Sequence, residues 1–200
     1  MLLSEMEPLK SPFLQTPSQT VGPYFAYGLT AEQYGYPFTS LNSGVMVPEH
    51  FPGQHIILKG KILDGENNPI PDAMIELWQA DHQGNYLEGK DGIQNLFGRQ
   101  GTGTLEFCEY VFQTIKPGPI ADQAPHINVI LFMRGQLSHI YTRIYFEEYE
   151  DLNAKDAVWL SIPIERRSTL LATRSIENNK EIFQFDIYMQ GEKETVFFDV

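Results

Sequence analysis

Pro71-Asp72-Ala73-Met74-Ile75-Glu76-Leu77-Trp78-Gln79-Ala80-Asp81, closing on Gly84-Asn85-Tyr86, is the stretch whose pattern decides the fold. Ala73, Ile75 and Leu77 fall on one face of an extended chain, and Met74, Glu76 and Trp78 on the other. That is the two-residue period of a strand, not the 3.6-residue period of a helix. Just upstream, residues 55–63 are β-rich and Asp64-Gly65-Glu66-Asn67-Asn68-Pro69 has turn chemistry. Further strands are expected at 105–113, 126–133, 139–146, 182–189 and 195–198, with one helix-like stretch at 168–175. Many short strands, Gly/Pro punctuation and no strand–helix alternation predict an all-β fold, a two-sheet β-sandwich. No internal repeat or low-complexity tract is present.

The 200 residues, 42% hydrophobic, suit one sandwich domain over residues 55–200 preceded by an arm over 1–54. A formal net charge of −12 removes the electrostatic hold on nucleic acid or anionic lipid that clustered Lys and Arg supply. Cys108, the single cysteine, has no internal disulfide partner and is expected to be buried and inert in an apolar strand. The run Met1-Leu2-Leu3-Ser4-Glu5-Met6-Glu7-Pro8 lacks the basic flank and apolar core of a signal peptide, and no run approaches membrane-spanning length. A reducing cytoplasm is the expected location.

The arm is irregular, with a short helical turn expected around Thr30 to Tyr34. It is rich in aromatics: Phe13, Tyr24, Phe25, Tyr27, Tyr34, Tyr36 and Phe38. Disordered tails are poor in such residues, so the arm must bury them against something. In Thr16-Pro17-Ser18-Gln19-Thr20-Val21-Gly22-Pro23-Tyr24 the prolines restrict the backbone and Gly22 permits close approach. Such a loop presents Thr20 and Tyr24 either at a subunit boundary or in an intrachain turn.

Local spacing gives no recognisable metal motif. The five histidines, at 50, 55, 82, 126 and 139, form no His-x-His and no His-Glu-x-x-His. His126-Ile127-Asn128 delivers one imidazole to its strand face, where a His-x-His would deliver two. His126 and Tyr86 therefore read as hydrogen-bonded groups of a polar pocket. Phe97-Gly98-Arg99-Gln100-Gly101-Thr102-Gly103 has the wrong glycine order for a phosphate cradle and is expected to be a turn. Arg134 ends the apolar run 126–133, where it is either a solvated strand end or a planar fork for a carboxylate.

Four segments, Gly60-Lys61-Ile62-Leu63-Asp64-Gly65, the opening stretch through Tyr86, Thr114-Ile115-Lys116-Pro117-Gly118-Pro119 and Ala124-Pro125-His126-Ile127-Asn128, together resemble the intradiol ring-cleaving dioxygenases. In that family's catalytic chains a tyrosine closes the second segment, another follows the Pro-Gly-Pro, and a His-x-His pair ends the last. The matching positions here hold Tyr86, Ile120, His126 and Asn128. Ferric iron favours anionic oxygen donors backed by imidazole, and neither an isoleucine nor a carboxamide replaces them. Gln123 stands where catalytic chains carry an arginine. The arm motif, Phe132-Met133-Arg134-Gly135 and the run from Gln190 to Asp199 resemble the non-iron-binding alpha chains of heteromeric members, so the likeness covers nearly the whole chain.

That resemblance implies a β-sandwich and a part in O2-dependent cleavage of protocatechuate (3,4-dihydroxybenzoate) between its hydroxyl-bearing carbons. Fe(3+) is expected on a homologous beta subunit, in a higher-order αβ oligomer, with this chain inactive alone. Thr20, Gly22, Tyr24 and Arg134 are the substrate-binding residues it implies; it implies no metal ligand and no catalytic residue in this chain. Two other readings stand beside it. One is a stand-alone transthyretin-like binding module; the other is a self-sufficient enzyme in which Tyr86 and His126 recruit Tyr110 or His139.

Overall fold

A computed structural model describes residues 16–22, 24–88, 95–104 and 106–199 of the chain. The expected strand positions 105 and arm residues 1–15 with Phe13, and Pro23 of the arm motif, lie outside them. Nine strands occur among the described residues: β1 (His55–Leu63), β2 (Met74–Gln79), β3 (Phe97–Gly101), β4 (Glu109–Ile115), β5 (His126–Phe132), β6 (Ile140–Phe146), β7 (Leu171–Glu177), β8 (Lys180–Gln184) and β9 (Ile187–Tyr188). Their hydrogen-bonded order is β3-β2-β5-β6-β7-β8-β1-β4, with β9 beside β1. Among the described residues, a two-residue parallel pairing, Tyr145 with Leu171 and Phe146 with Ala172, joins the β3-β2-β5-β6 half to the β7-β8-β1-β4 half.

One apolar cluster draws on both halves. Ile75, Leu77, Val129 and Ile144 come from one half and Leu58, Phe112 and Phe183 from the other, all at most 1% exposed. Burying each such side chain stabilises the fold by about 1.5–3 kcal/mol. The halves are thus the two layers of the expected β-sandwich. The inward set Ile75 and Leu77 is the one that the alternation in the opening stretch picks out. The Asp64 turn is as expected, because the Asp64 carboxylate accepts the Glu66 and Asn68 backbone N–H groups at 2.9 and 2.8 Å.

The outward face of the first layer carries the arm. Helix α1 (Tyr24–Leu29), which the sequence reading missed, leads into the expected turn, a 3-10 segment at Ala31–Tyr34. Phe25 packs on Phe132 with ring centroids 5.3 Å apart, and Tyr27 packs on Tyr34 at 4.4 Å. Farther along, Met46 joins the main core at 1% exposure. Other arm residues stay open: Tyr24 is 79% exposed and Leu41 95%.

Four expectations are corrected. Phe97–Gly101 is strand β3, not a turn: it pairs with β2 from Trp78 to Met74. Gly98 is there for close approach, since a Cβ would sit 2.6 Å from Met46 Cγ. Of the helix-like stretch expected at 168–175, only 168–170 are helical, as the end of a 3-10 segment. A 3-10 segment (Ile164–Leu170) is followed by β7, because pairing with β8 and β6 outweighs the helix propensity of the Leu-Leu-Ala run. The strand expected from 105 begins at Glu109, after Phe107 and Cys108 adopt left-handed φ values of 60° and 55°, which lifts Cys108 to partial exposure instead of burial. The strand expected at 195–198 reduces to one bridge between Phe198 and Tyr141.

Candidate functional site

Two clusters stand at opposite ends of β5. At its start lie the residues that match a ferric site. The Asp81 carboxylate caps the backbone N–H groups of Gln83 and Asn85, both at 2.9 Å, and so fixes the tight turn into Tyr86. Gly84 closes that turn at φ 86°, and a Cβ there would lie 1.9 Å from the Pro119 carbonyl oxygen. The two family-like segments are thereby locked together, and Gly118 N–H donates to the Asp81 carbonyl at 2.8 Å.

Tyr86 stacks on Trp78, ring centroids 4.5 Å apart, and its hydroxyl accepts the Asn128 side-chain N–H at 2.8 Å. Burial raises the Tyr86 phenol's pKa above its ordinary value, ahead of the lowering effects of Asn128 and the Arg143 charge. It stays a neutral phenol at neutral pH. His126 is 1% exposed and its Nδ1 lies 2.8 Å from the Ala124 carbonyl. Burial first, then the positive charge of Arg143, lowers its pKa to about 4.

Arg143 was not anticipated. Nothing in the run Ile140–Phe146 marks it; only the antiparallel register places it opposite Asn128. Its Nη1 donates to the side-chain amide oxygen of Gln123 at 3.0 Å and to the Tyr145 hydroxyl at 3.3 Å. A neighbouring strand thus supplies a positive charge beside the position where family members carry an arginine. Burial raises the pKa of Tyr145 to about 12, and its hydroxyl donates to Asp156 at 3.4 Å. Asp156, fully buried, also accepts the N–H groups of Ala124 at 3.0 Å, Val158 at 2.8 Å and Trp159 at 3.2 Å, which caps the short helix α2 (Ala157–Ser161). An Asp just before the apolar Ala157-Val158-Trp159 was the readable signal for that cap.

The donor set does not fit ferric iron. The positions that match the ferric ligands present one phenol, one imidazole, a carboxamide and an isoleucine, so two of the four donors are missing. Among the described residues no group of three His, Cys, Asp or Glu could hold a metal. Nor do the alternative ligands join Tyr86 and His126. Tyr110 is wholly buried with its hydroxyl donating to the Phe185 carbonyl, and His139 pairs with the Tyr141 hydroxyl at 2.6 Å.

His126 carries a pH prediction. Its folded pKa of about 4 lies below the unfolded value near 6.5, so the unfolded chain takes up the proton first as pH falls. The stabilising contribution is complete above about pH 6.5 and lost towards pH 4, a total of about 3 kcal/mol. Urea midpoints followed across that window should fall with pH and should flatten in His126→Gln.

The second cluster gathers the arm motif. Thr20 Oγ1 accepts the Gly135 N–H at 2.9 Å, which ties the arm to the turn that carries Arg134. The Gly22 carbonyl accepts the Phe25 N–H at 3.1 Å at the start of α1, and Tyr24 projects beyond, edge-on to Tyr27 at 5.9 Å. Arg134, its side chain 60% exposed, pairs through Nε with Asp72, a partner the sequence did not indicate. From Asn128 to the end of β5 at Phe132 the extended chain covers about 13 Å, and Arg134 lies in the turn beyond. The arm cluster is therefore remote from the pocket of Tyr86 and His126.

The fold and these segments define the class. A family profile described as Dioxygenase matches residues 22–191, and the chain belongs to that dioxygenase family. Its particular likeness is to the protocatechuate 3,4-dioxygenase alpha chain of Burkholderia cepacia, 47% identical over 93% of this chain and 98% of that one. The alpha chain of Pseudomonas putida is 40% identical over 92% of this chain and 96% of its own length. The beta chain from Burkholderia cepacia is 29% identical over 72% of this chain and 67% of that one. Among solved structures, the dioxygenase domain from Streptomyces sp. SirexAA-E superposes with a TM-score of 0.61 at 23% identity, over 80% of this chain and 94% of that domain. No helix among the described residues is long and apolar enough to cross a membrane.

Proposed function

We propose that this chain is the alpha, non-iron-binding subunit of a protocatechuate 3,4-dioxygenase. The assembly cleaves 3,4-dihydroxybenzoate with O2 between its hydroxyl-bearing carbons to give 3-carboxy-cis,cis-muconate. Fe(3+) is held by a homologous beta subunit in a higher-order αβ complex of the cytoplasm. The observation that carries this reading is the separation of the two clusters: the substrate-like group lies beyond the far end of β5, about 13 Å of strand away from the chain's own defective pocket, so it suits a site completed on another chain. The acidic surface offers no alternative role on nucleic acid or membrane.

This chain's share of the reaction is positioning. Arg134 meets the ring's carboxylate, and the Thr20–Gly22–Tyr24 loop closes over the ring, held in place by the Thr20–Gly135 bond. The arm, residues 1–54, contacts the partner, and its exposed Tyr36 and Phe38 suit such a boundary. A stand-alone transthyretin-like module leaves the exposed arm aromatics and the 47% identity to an alpha chain without explanation.

Co-expression with a beta chain tests the reading. Turnover of 3,4-dihydroxybenzoate should require both chains, and this chain alone should give none; turnover by this chain alone would refute it. Restoring two ligands with Ile120→Tyr and Asn128→His should leave the isolated chain without activity, because Gln123 still stands where catalytic chains carry an arginine. Turnover gained by that double variant, read by oxygen uptake, would contradict this account.

A further inference from the structure

The pocket of Tyr86 and His126 lacks the donors of a ferric site and holds a cation of its own, Arg143. Trp78, Asn128 and Arg143 stand in one register row across β2, β5 and β6, on the layer's outward face. Two strand spacings, about 10 Å, separate the ends of that row. At one end Trp78 and Tyr86 form a stacked pair, 45% and 37% exposed. At the other the Arg143 guanidinium donates to two neutral oxygens, of Gln123 and Tyr145.

The charges around it do not cancel this. Glu76, the nearest carboxylate on β2 toward the arm, is neutralised by Arg99, whose Nε lies 2.7 Å from it. Asp156 spends its oxygens on the three backbone N–H groups and on Tyr145, behind Arg143. The Tyr86 hydroxyl accepts from Asn128 and keeps its own hydrogen free to donate. From these placements we infer that the pocket is a binding site for a small aromatic monocarboxylate, the carboxylate on Arg143 and the ring against Trp78 and Tyr86. A single guanidinium suits one carboxylate in a fork and does not suit a multiply charged phosphate. The aromatic pair selects a flat ring over an aliphatic acid. Because an isoleucine and a carboxamide stand at two ligand positions and cannot hold ferric iron, the ligand is bound and not cleaved.

Equilibrium dialysis of labelled benzoate against the purified αβ complex tests this, with acetate as the non-aromatic control. Wild type should bind benzoate at two sites per αβ pair. Arg143→Gln should weaken one of them about tenfold or more, the loss of one charged hydrogen-bonded contact, with turnover of 3,4-dihydroxybenzoate unchanged. Arg143→Lys should keep that site with intermediate affinity, which separates loss of charge from loss of folding. Arg134→Ala should weaken the other site only. Benzoate binding that is indifferent to Arg143 at every site overturns the inference. Two sites indifferent to Arg134 instead count against the positioning role given to Arg134, and leave the inference standing.

Discussion

Asp156→Ala is expected to cost about 3–5 kcal/mol of stability, because a buried acceptor of four hydrogen bonds disappears and its donors lose their partner at about 1–3 kcal/mol each. The substitution strips the cap from α2 and releases the Ala124 N–H, which anchors the segment between Gln123 and His126. Urea denaturation should show the midpoint falling accordingly. Asp156→Asn should fall between the two, since a carboxamide oxygen can still accept the Val158 and Trp159 N–H groups while its NH2 cannot accept from Ala124 or Tyr145. A loss below about 1 kcal/mol in Asp156→Ala would mean that the chain reorganises around this carboxylate, and that it does not hold the pocket together.

Arg134→Ala is expected to raise the KM of the αβ enzyme for 3,4-dihydroxybenzoate about 10- to 100-fold, the range for removing a hydrogen-bonded charge partner of a carboxylate. The effect on catechol, which lacks the carboxylate, should be small, and kcat should change less than KM, as for a contact made equally in ground and transition states. Steady-state kinetics with both substrates decide it. Equal losses would assign Arg134 to the arm's architecture, where its pairing with Asp72 beside the Thr20 anchor is a sufficient role.

What was legible followed from periodicity. The alternation through Ile75 and Leu77, and the apolar runs that became β5 and β6, announced strands whose inner faces meet in one core. Turn chemistry at Asp64 was readable because a carboxylate two residues before a backbone N–H folds the chain locally. The failures came where tertiary context decided the outcome. Leu171 and Ala172 are helix formers that became strand through pairing with β6, and Gly98 reads as a turn residue until Met46 is seen against it. Phe107 and Cys108 carry no local signal for their left-handed conformation.

The site divides along the same line. Tyr86, Ile120, Gln123, His126 and Asn128 could be read from motif positions, and their donor chemistry argued against iron before any coordinates. Arg143 could not, because it becomes a neighbour of Gln123 only through the β5–β6 register. Asp72 was likewise invisible as the partner of Arg134, to which it is brought by folding across 62 positions of sequence. The mutual exclusion of the arm cluster and the defective pocket is a property of β5's length, and it appeared only once both ends were fixed by their turns.

The central claim is that this chain contributes a surface and not a metal. Iron content of the chain purified alone, set against that of the αβ complex, tests it most directly. The account predicts no bound iron in the isolated chain and one ferric ion per αβ pair, lost and regained with the beta chain. One iron per isolated chain, held through Tyr86 and His126, would contradict it.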